Sequence, residues 1–262
     1  MKIYLSIIIA ALVGEYLIRC LTRYFNLKAM VPDLPAEFDG FYDQEQYRKS
    51  QQYTRVNTKF SYVSSSISLI VMLVFILMGG FNVLDIFVRS FELSPIPTGL
   101  TFFVILFLAS DWLSLPFSLY NTFVIEERFG FNKTTYITYL IDTVKGTLVS
   151  AAILIPLLAG VLYFFEYTGS MAWLYVFTFL TLTTLFIQVI DPVWIMPIFN
   201  KFTPLEPGDL RNAIVEYAKK VKFTYGNIYV IDGSKRSAHS NAFFTGFGKT
   251  KRIALFLSLI HI

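Results

Sequence analysis

The stretch LTFFVILFLASDWLSLPFSLY, residues 100–120, holds one charged side chain, Asp111, in 21 positions. At a helical rise of about 1.5 Å per residue it spans roughly 30 Å, the thickness of a bilayer's hydrocarbon core. Lipid offers no partner to backbone N–H and C=O groups, so such a stretch has to be helical. Working outward, residues 3–20, 63–83, 147–165 and 172–190 have the same character. Composition agrees: 55% of residues are hydrophobic and 15% charged, where a water-soluble domain carries about 25% charged residues. The reading is an all-α membrane protein with five transmembrane helices. The first stretch is read as a span rather than a signal peptide. No small-x-small cleavage site follows it, and Glu15 and Arg19 are spaced as a helical pair.

The basic residues set an orientation. Arg23, Lys28, Arg48, Lys49, Arg55 and Lys59 lie between the first and second spans, Arg89 alone between the second and third, and Arg128 and Lys133 in the next connection. The fourth connection has none, and the tail after the fifth span is rich in Lys and Arg. Rich and poor segments alternate, which places the N-terminus outside and the tail in the cytoplasm. The sequon Asn132-Lys133-Thr134 then faces the side where glycosylation does not occur. A net charge of +4 does not point to nucleic acid, and a single cysteine, Cys20, excludes an internal disulfide or a cysteine-based metal site.

The tail changes character. In TPLEPGDLRNAIVEYAKKVKF, residues 203–223, Leu210, Ala213, Ile214, Tyr217, Ala218 and Val221 recur at helical spacing as one apolar face. Gly208 or Asp209 starts this helix, and Lys219, Lys220 and Lys222 suit its negative end. NIYVID and NAFFTGF read as strands, residues 248–251 as a turn, and residues 252–256 as a further strand. Five spans are thus followed by the start of a cytoplasmic α+β domain.

Each conspicuous motif has a plain reading. TGFGKT lacks the first glycine of a phosphate loop, because Phe243 stands there, so it is a hairpin turn. Asp142 and Lys145, three apart, are expected to pair with each other. Asp111, at membrane depth, is either a helix–helix hydrogen-bond partner or a lining residue of a wet cavity. Pro192 and Pro197 are expected to end the fifth helix in a bend. His239 reads as a turn residue and Asn241 as a strand cap. With His261 the only other histidine, no zinc set can be assembled from the residues present.

Four stretches, YDQEQYRKSQQYTRVNTKFSYVSS, EERFGFNKTT, PIFNKFTPLEPGDLRNAI and SAHSNAFFTGFGKTKRIALF, resemble in order the integral-membrane CAAX prenyl protease 1 family, the Ste24-type branch of the M48 zinc metallopeptidases. The similarity runs from about residue 31 to residue 256. It implies a zinc-dependent metalloendopeptidase acting on prenylated C-terminal CAAX peptides or on membrane proteins in quality control. It implies a Zn2+ held by two histidines of an HExxH helix and a later glutamate. It also implies a water-filled chamber enclosed by the helices and a substrate backbone added as a strand to the edge that Asn241 begins. On that match Asn241, Ala242, Phe243 and His239 are substrate-binding residues, and Asp111 is a chamber-lining candidate. The partners implied are a peptide or protein substrate and the lipid bilayer, without nucleic acid. The membrane is a plasma (inner) membrane or the endoplasmic reticulum.

The sequence departs from the family pattern at its end. No HExxH occurs in the 262 residues, so catalytic residues and metal ligands are expected to be absent and this chain to be inactive by itself. Residues 257–262, LSLIHI, look like translated sequencing adapter. The expected division is therefore 1–198 as the five-helix membrane domain, 199–256 as the start of the peptidase domain, and 257–262 as a scar. Two readings compete: a non-catalytic scaffold or transporter-like bundle, and a regulatory pseudo-protease.

Overall fold

The computed structural model describes residues 2–38, 40–41, 43–239, 241–246 and 251–256. Most of the turn expected at 248–251 and all of 257–262 lie outside the described residues. Nine α-helical segments precede or accompany a small sheet among the described residues. They are α1 (Lys2–Ala29), α2 (Gln44–Leu77), α3 (Gly80–Arg89), α4 (Pro95–Tyr120), α5 (Glu127–Phe129), α6 (Tyr136–Tyr167), α7 (Ala172–Ile190), α8 (Met196–Phe199) and α9 (Asp209–Lys220). Five helical runs are long and apolar enough to cross a membrane: Ile3–Ala29, Gln44–Leu77, Pro95–Phe129, Tyr136–Tyr167 and Gly169–Phe199. The chain divides into two compact units, Met1–Leu93 with Ile105–Phe129, and Ser94–Val104 with Gly130–Ile262.

In the first unit α1 and α2 are joined by polar groups that lipid would leave unsatisfied. The Tyr16 hydroxyl meets Ser66 Oγ at 2.7 Å. Arg23 Nη1 donates to the Ser61 carbonyl at 3.1 Å and to Ser65 Oγ at 2.9 Å, and its guanidinium lies over the Tyr62 ring. The Tyr62 hydroxyl donates to the Cys20 carbonyl at 2.9 Å. Such bonds between helices replace water as the partner of each group. The Glu15–Arg19 pair expected from spacing is present at 2.5 Å. Asp43 caps α2 by accepting from the Gln46 N–H at 2.8 Å.

The second span ends sooner than hydropathy places it. α2 stops at Leu77, and Gly79, with φ +72°, turns the chain left-handed before α3 begins at Gly80. Glycine alone takes that conformation without steric cost, so residues 80–83 belong to a separate short helix. At the other end of the unit α4 widens into a π-helical turn, Asn121–Glu126, leading to α5. There the Tyr53 hydroxyl donates to Glu126, and Phe129 packs edge-on against the Tyr53 ring at 5.3 Å.

In the second unit α6 is capped by Thr135, whose hydroxyl accepts from the Thr138 N–H at 3.2 Å. α6 and α7 approach closely at Gly160, where a Cβ would stand 2.7 Å from the Phe179 ring. Phe164 stacks on Tyr175 nearby. The prolines do not end the fifth span. The helix passes through a π-turn, Asp191–Ile195, and continues as α8 to Phe199. A proline ring clashes with the carbonyl four residues back in an α-helix, and a turn with i→i+5 spacing opens that contact.

Four short strands follow: β1 (Phe202–Pro204), β2 (Asn227–Ile231), β3 (Ala242–Thr245) and β4 (Arg252–Phe256), in the order β1-β2-β4-β3. β1 pairs antiparallel with β2, β2 parallel with β4, and β3 antiparallel with β4. Ile228, Ile231, Ala254 and Leu255 are buried on the two central strands, and Ala218 of α9 is buried as well. The apolar face expected on α9 is only partly closed. Ile214 is half-buried, but Ala213, Leu210, Tyr217 and Val221 remain exposed.

Candidate functional site

β3 stands at the end of the strand order, so one of its edges pairs with β4 and the other faces outward. The register sets Ala242 opposite Leu255 and Phe244 opposite Ile253. One residue earlier, the Phe256 N–H donates to the Asn241 carbonyl at 2.9 Å. Hydrogen-bonded and non-bonded pairs alternate along an antiparallel ladder. Asn241, Phe243 and Thr245 therefore turn their main-chain groups towards β4, and Ala242 and Phe244 turn theirs outward. Asn241 Oδ1 accepts from the Ala242 N–H at 2.8 Å, so the side chain caps the first outward donor of the strand. The outward set that follows is the Ala242 carbonyl and the Phe244 N–H and carbonyl.

The sequence-derived residues fall as follows. Asn241 and Ala242 are exposed, and Phe243 is half-buried, with its ring 6.3 Å from that of Phe256. Phe244 is exposed and meets Phe223 edge-on at 5.3 Å. His239 is exposed, its ring stacked on Phe131 at 4.2 Å and its N–H donated to Ser237 Oγ at 3.1 Å. The four substrate-binding candidates thus lie in one short run leading into β3. Asp111 lies on α4, exposed, in the first unit rather than the second.

The run before β3 is held by a polar junction. Arg236 grips Asp142 of α6 with two parallel bonds, Nε to Oδ2 at 2.5 Å and Nη2 to Oδ1 at 2.9 Å, and its Nη1 donates to Asn200 Oδ1 at 3.1 Å. The expected Asp142–Lys145 pair is therefore corrected. Lys145 Nζ turns to the Ile198 carbonyl at 3.4 Å, and the carboxylate goes to the guanidinium whose planar fork matches its two oxygens. The Asp142 bond holds the Arg236 guanidinium above its ordinary pKa. A second tie joins the same region to the end of the fifth span: Asp232 Oδ1 accepts from the Lys201 N–H at 2.8 Å, and Oδ2 meets Lys235 Nζ at 2.8 Å. Burial opposes ionisation of Asp232. The hydrogen bonds from Lys235 and Lys201, with the charges of Lys235 and Arg236, outweigh it and hold the carboxyl below the usual range.

Nothing local in the sequence singles out Arg236, because its partner is 94 residues away. In sequence it is one cation in a basic tail. The only hint is Asp142 itself, an acid inside a span that requires a partner. The sequon has a structural use too: Asn132 Oδ1 accepts from the Thr134 N–H at 2.8 Å, closing a turn in the α5–α6 connection.

The described residues do not fit a metal. No group of three or more His, Cys, Asp or Glu side chains among them lies close enough to share an ion.

Five helices long and apolar enough to cross a membrane, followed by an α+β region with an outward strand edge, define a multi-pass membrane protein with a sheet-containing C-terminal region. Residues 23–201 match the family described as CAAX prenyl protease N-terminal, five membrane helices, and residues 204–262 match Peptidase family M48. The chain belongs to the CAAX prenyl protease 1 (Ste24-type) family of M48 peptidases. It is 34% identical over 265 residues to a CAAX prenyl protease 1 homolog of Arabidopsis thaliana, covering 98% of this chain and 62% of that protein. To CAAX prenyl protease 1 of Saccharomyces cerevisiae it is 39% identical over 240 residues, covering 87% of this chain and 53% of that one. The crystal structure of S. mikatae Ste24p superposes with a TM-score of 0.87 at 36% identity, over 98% of this chain and 62% of that chain. The chain spans between about half and 62% of the length of these relatives.

Proposed function

We propose that this chain is the membrane and substrate-pairing part of a zinc-dependent metalloendopeptidase of the CAAX prenyl protease 1 type. It processes prenylated CAAX termini or clears membrane proteins. Residues 1–198 form the membrane domain and 199–256 belong to the peptidase domain, on the cytoplasmic side by the alternation of basic residues; the membrane is a plasma (inner) membrane or the endoplasmic reticulum. The ions and bases of hydrolysis are not assigned to any described residue. Zinc, when bound, would supply Lewis-acid chemistry, and no described residue is assigned to hold it; the contribution of this chain's own residues is alignment of the peptide.

The single supporting observation is the outward edge of β3. An extended peptide adds to such an edge through main-chain bonds. The Phe244 N–H and carbonyl and the Ala242 carbonyl are the edge groups it would meet. Asn241, with Oδ1 occupied by its own backbone, offers Nδ2 to a peptide carbonyl. Phe243 holds the strand against β4 from below, and His239, stacked on Phe131, steadies the approach to it.

The test is binding of a fluorescent farnesylated peptide ending in a CAAX sequence to the chain in lipid nanodiscs. Phe244→Pro removes one outward N–H without touching a bond to β4, and proline is tolerated on an edge. Affinity is expected to fall roughly tenfold, the effect of about one lost hydrogen bond. Equal binding by both proteins defeats the edge reading. Zinc dependence is read separately, on this chain carried within a polypeptide spanning the whole length of its relatives, as cleavage of the same peptide with and without a chelator; cleavage indifferent to the chelator defeats it.

A further inference from the structure

The six residues that lead into β3, 236–241, are fixed at both ends. At the far end Asn241 is held by the Phe256 N–H and by its own bond to Ala242. At the near end Arg236 gathers ties from distant parts of the chain. The Arg236 carbonyl accepts from the Lys133 N–H at 3.0 Å and from the Thr134 hydroxyl at 2.9 Å. The Arg236 side chain binds Asp142 twice and Asn200 once. Two stretches far from it in sequence thus converge on it: the α5–α6 connection running on into the start of α6, and the end of the fifth span. Beside it Ser237 pairs with Asn132 as an isolated bridge, and the Ala238 N–H donates to the Phe131 carbonyl at 2.9 Å. Residues 236–238 therefore run as a short extra rung on the connection between the third and fourth spans.

The ion pair is built for position. Both side chains are about three-quarters withdrawn from solvent, 28% and 22% exposed. A guanidinium bound through two parallel N–H groups has a fixed plane and direction, which a lysine ammonium does not. A peptide added to β3 can meet a catalytic group only if the strand stands at a fixed height and angle to the helices.

We propose that Arg236 is a positioning residue, which, through its fork on Asp142 and its carbonyl on the Lys133–Thr134 turn, fixes where the outward edge of β3 stands relative to α6. This rests on the reading that the edge pairs with the substrate backbone. The connection between the third and fourth spans then acts on the substrate through β3.

The test measures amide exchange and peptide binding together, on the chain in lipid nanodiscs. The variants are Arg236→Gln, Arg236→Lys and the exchanged pair Asp142→Arg with Arg236→Asp. In Arg236→Gln the Ala238, Phe243 and Thr245 amides are expected to exchange roughly tenfold faster, with β2 and α9 unchanged, because local openings need not follow the whole domain. Peptide affinity falls with them. Arg236→Lys recovers part of the protection, since it keeps charge without the fork, and the exchanged pair recovers more. Unchanged exchange in Arg236→Gln overturns the proposal. So does acceleration spread evenly over β2 and α9, which marks simple loss of fold, and so does an exchanged pair no better than Arg236→Gln. If the unaltered chain binds no peptide, the edge reading fails, and the exchange data alone still decide whether Arg236 holds the strand.

Discussion

In the most apolar 18-residue window of each of the five spans, no residue is shut inside the chain. In the sheet, Ile228, Ile231, Ala254 and Leu255 are buried. The same residue types thus do different work in the two regions. In the spans an exposed Phe or Leu faces hydrocarbon, and stability comes from closed backbone hydrogen bonds and bonds between helices. In the sheet, burial out of water provides the drive. An exposed apolar side chain therefore carries opposite meanings on α7 and on α9, and substitutions can show which applies.

The largest effect is expected in the sheet. Ile228, 1% exposed, sits on the central strand β2. Ile228→Ala should cost about 2–5 kcal/mol, the lost transfer energy plus the cavity left behind. Proteolysis should become faster between residues 202 and 256 while the helical circular dichroism signal stays constant. Loss of helix signal in parallel would mean that the two regions fold as one and that the comparison is false.

The next test puts one charge in two places. Leu182 of α7 and Tyr217 of α9 are 61% and 67% exposed. Leu182→Arg lies near the middle of a span and should cost about 3–4 kcal/mol of insertion free energy, the arginine penalty plus the lost leucine contribution. Tyr217→Arg should stay within about 0.5 kcal/mol, as for an ordinary surface site. The inserted fraction in microsomes reads the first, and thermal melting of the tail reads the second. Similar costs would mean that α9 also lies against lipid or against another part of the protein.

What is legible in the sequence follows the same division. The spans are legible because one property, length of apolar run, decides them. Their ends are not. Hydropathy carries the second span on to residue 83, because Phe81 and Val83 are apolar, whereas the backbone at Gly79 decides where α2 stops. Prolines at 192 and 197 read as an end, whereas the widened turn that accommodates them depends on packing. β2 is legible by alternation, and β3 and β4 as short apolar runs beside a glycine-rich turn. β1 is not, since Phe202–Pro204 has three residues, one of them proline, and becomes a strand only by pairing with β2. At the candidate site the run from His239 to Phe243 comes from motif resemblance. Its anchor at Arg236 lies in tertiary contacts that no local pattern encodes.

Gly79 offers a smaller test of where a span ends. With φ +72° and nothing within 4 Å of an added methyl, Gly79→Ala meets no steric neighbour, only backbone strain. That strain amounts to about 1–2 kcal/mol. A shift of this size in an SDS unfolding titration is expected. No shift would show that α2 and α3 fuse into one helix once the glycine is gone.

The smallest effect concerns Asp232, and it separates the regions by pH. Its carboxyl is held below the usual range when folded, so the unfolded chain takes up its proton more readily. The contribution is therefore complete above the unfolded value of about 3.9 and disappears as pH falls from there through the folded value. Lys235 is 72% exposed, so solvent screens the pair and the loss should stay below about 1 kcal/mol. After correction for intrinsic rates, exchange of the Lys201 amide should accelerate below about pH 4 in the unaltered chain. In Asp232→Asn, whose side chain has no charge to lose, the same amide should be fast at both ends of the range. If the variant also shows the acid step, another carboxylate governs the Lys201 tie. If neither does, the tie depends on the backbone bond from the Asp232 N–H to the Lys201 carbonyl at 3.3 Å, and charge has no part in joining the sheet to the fifth span.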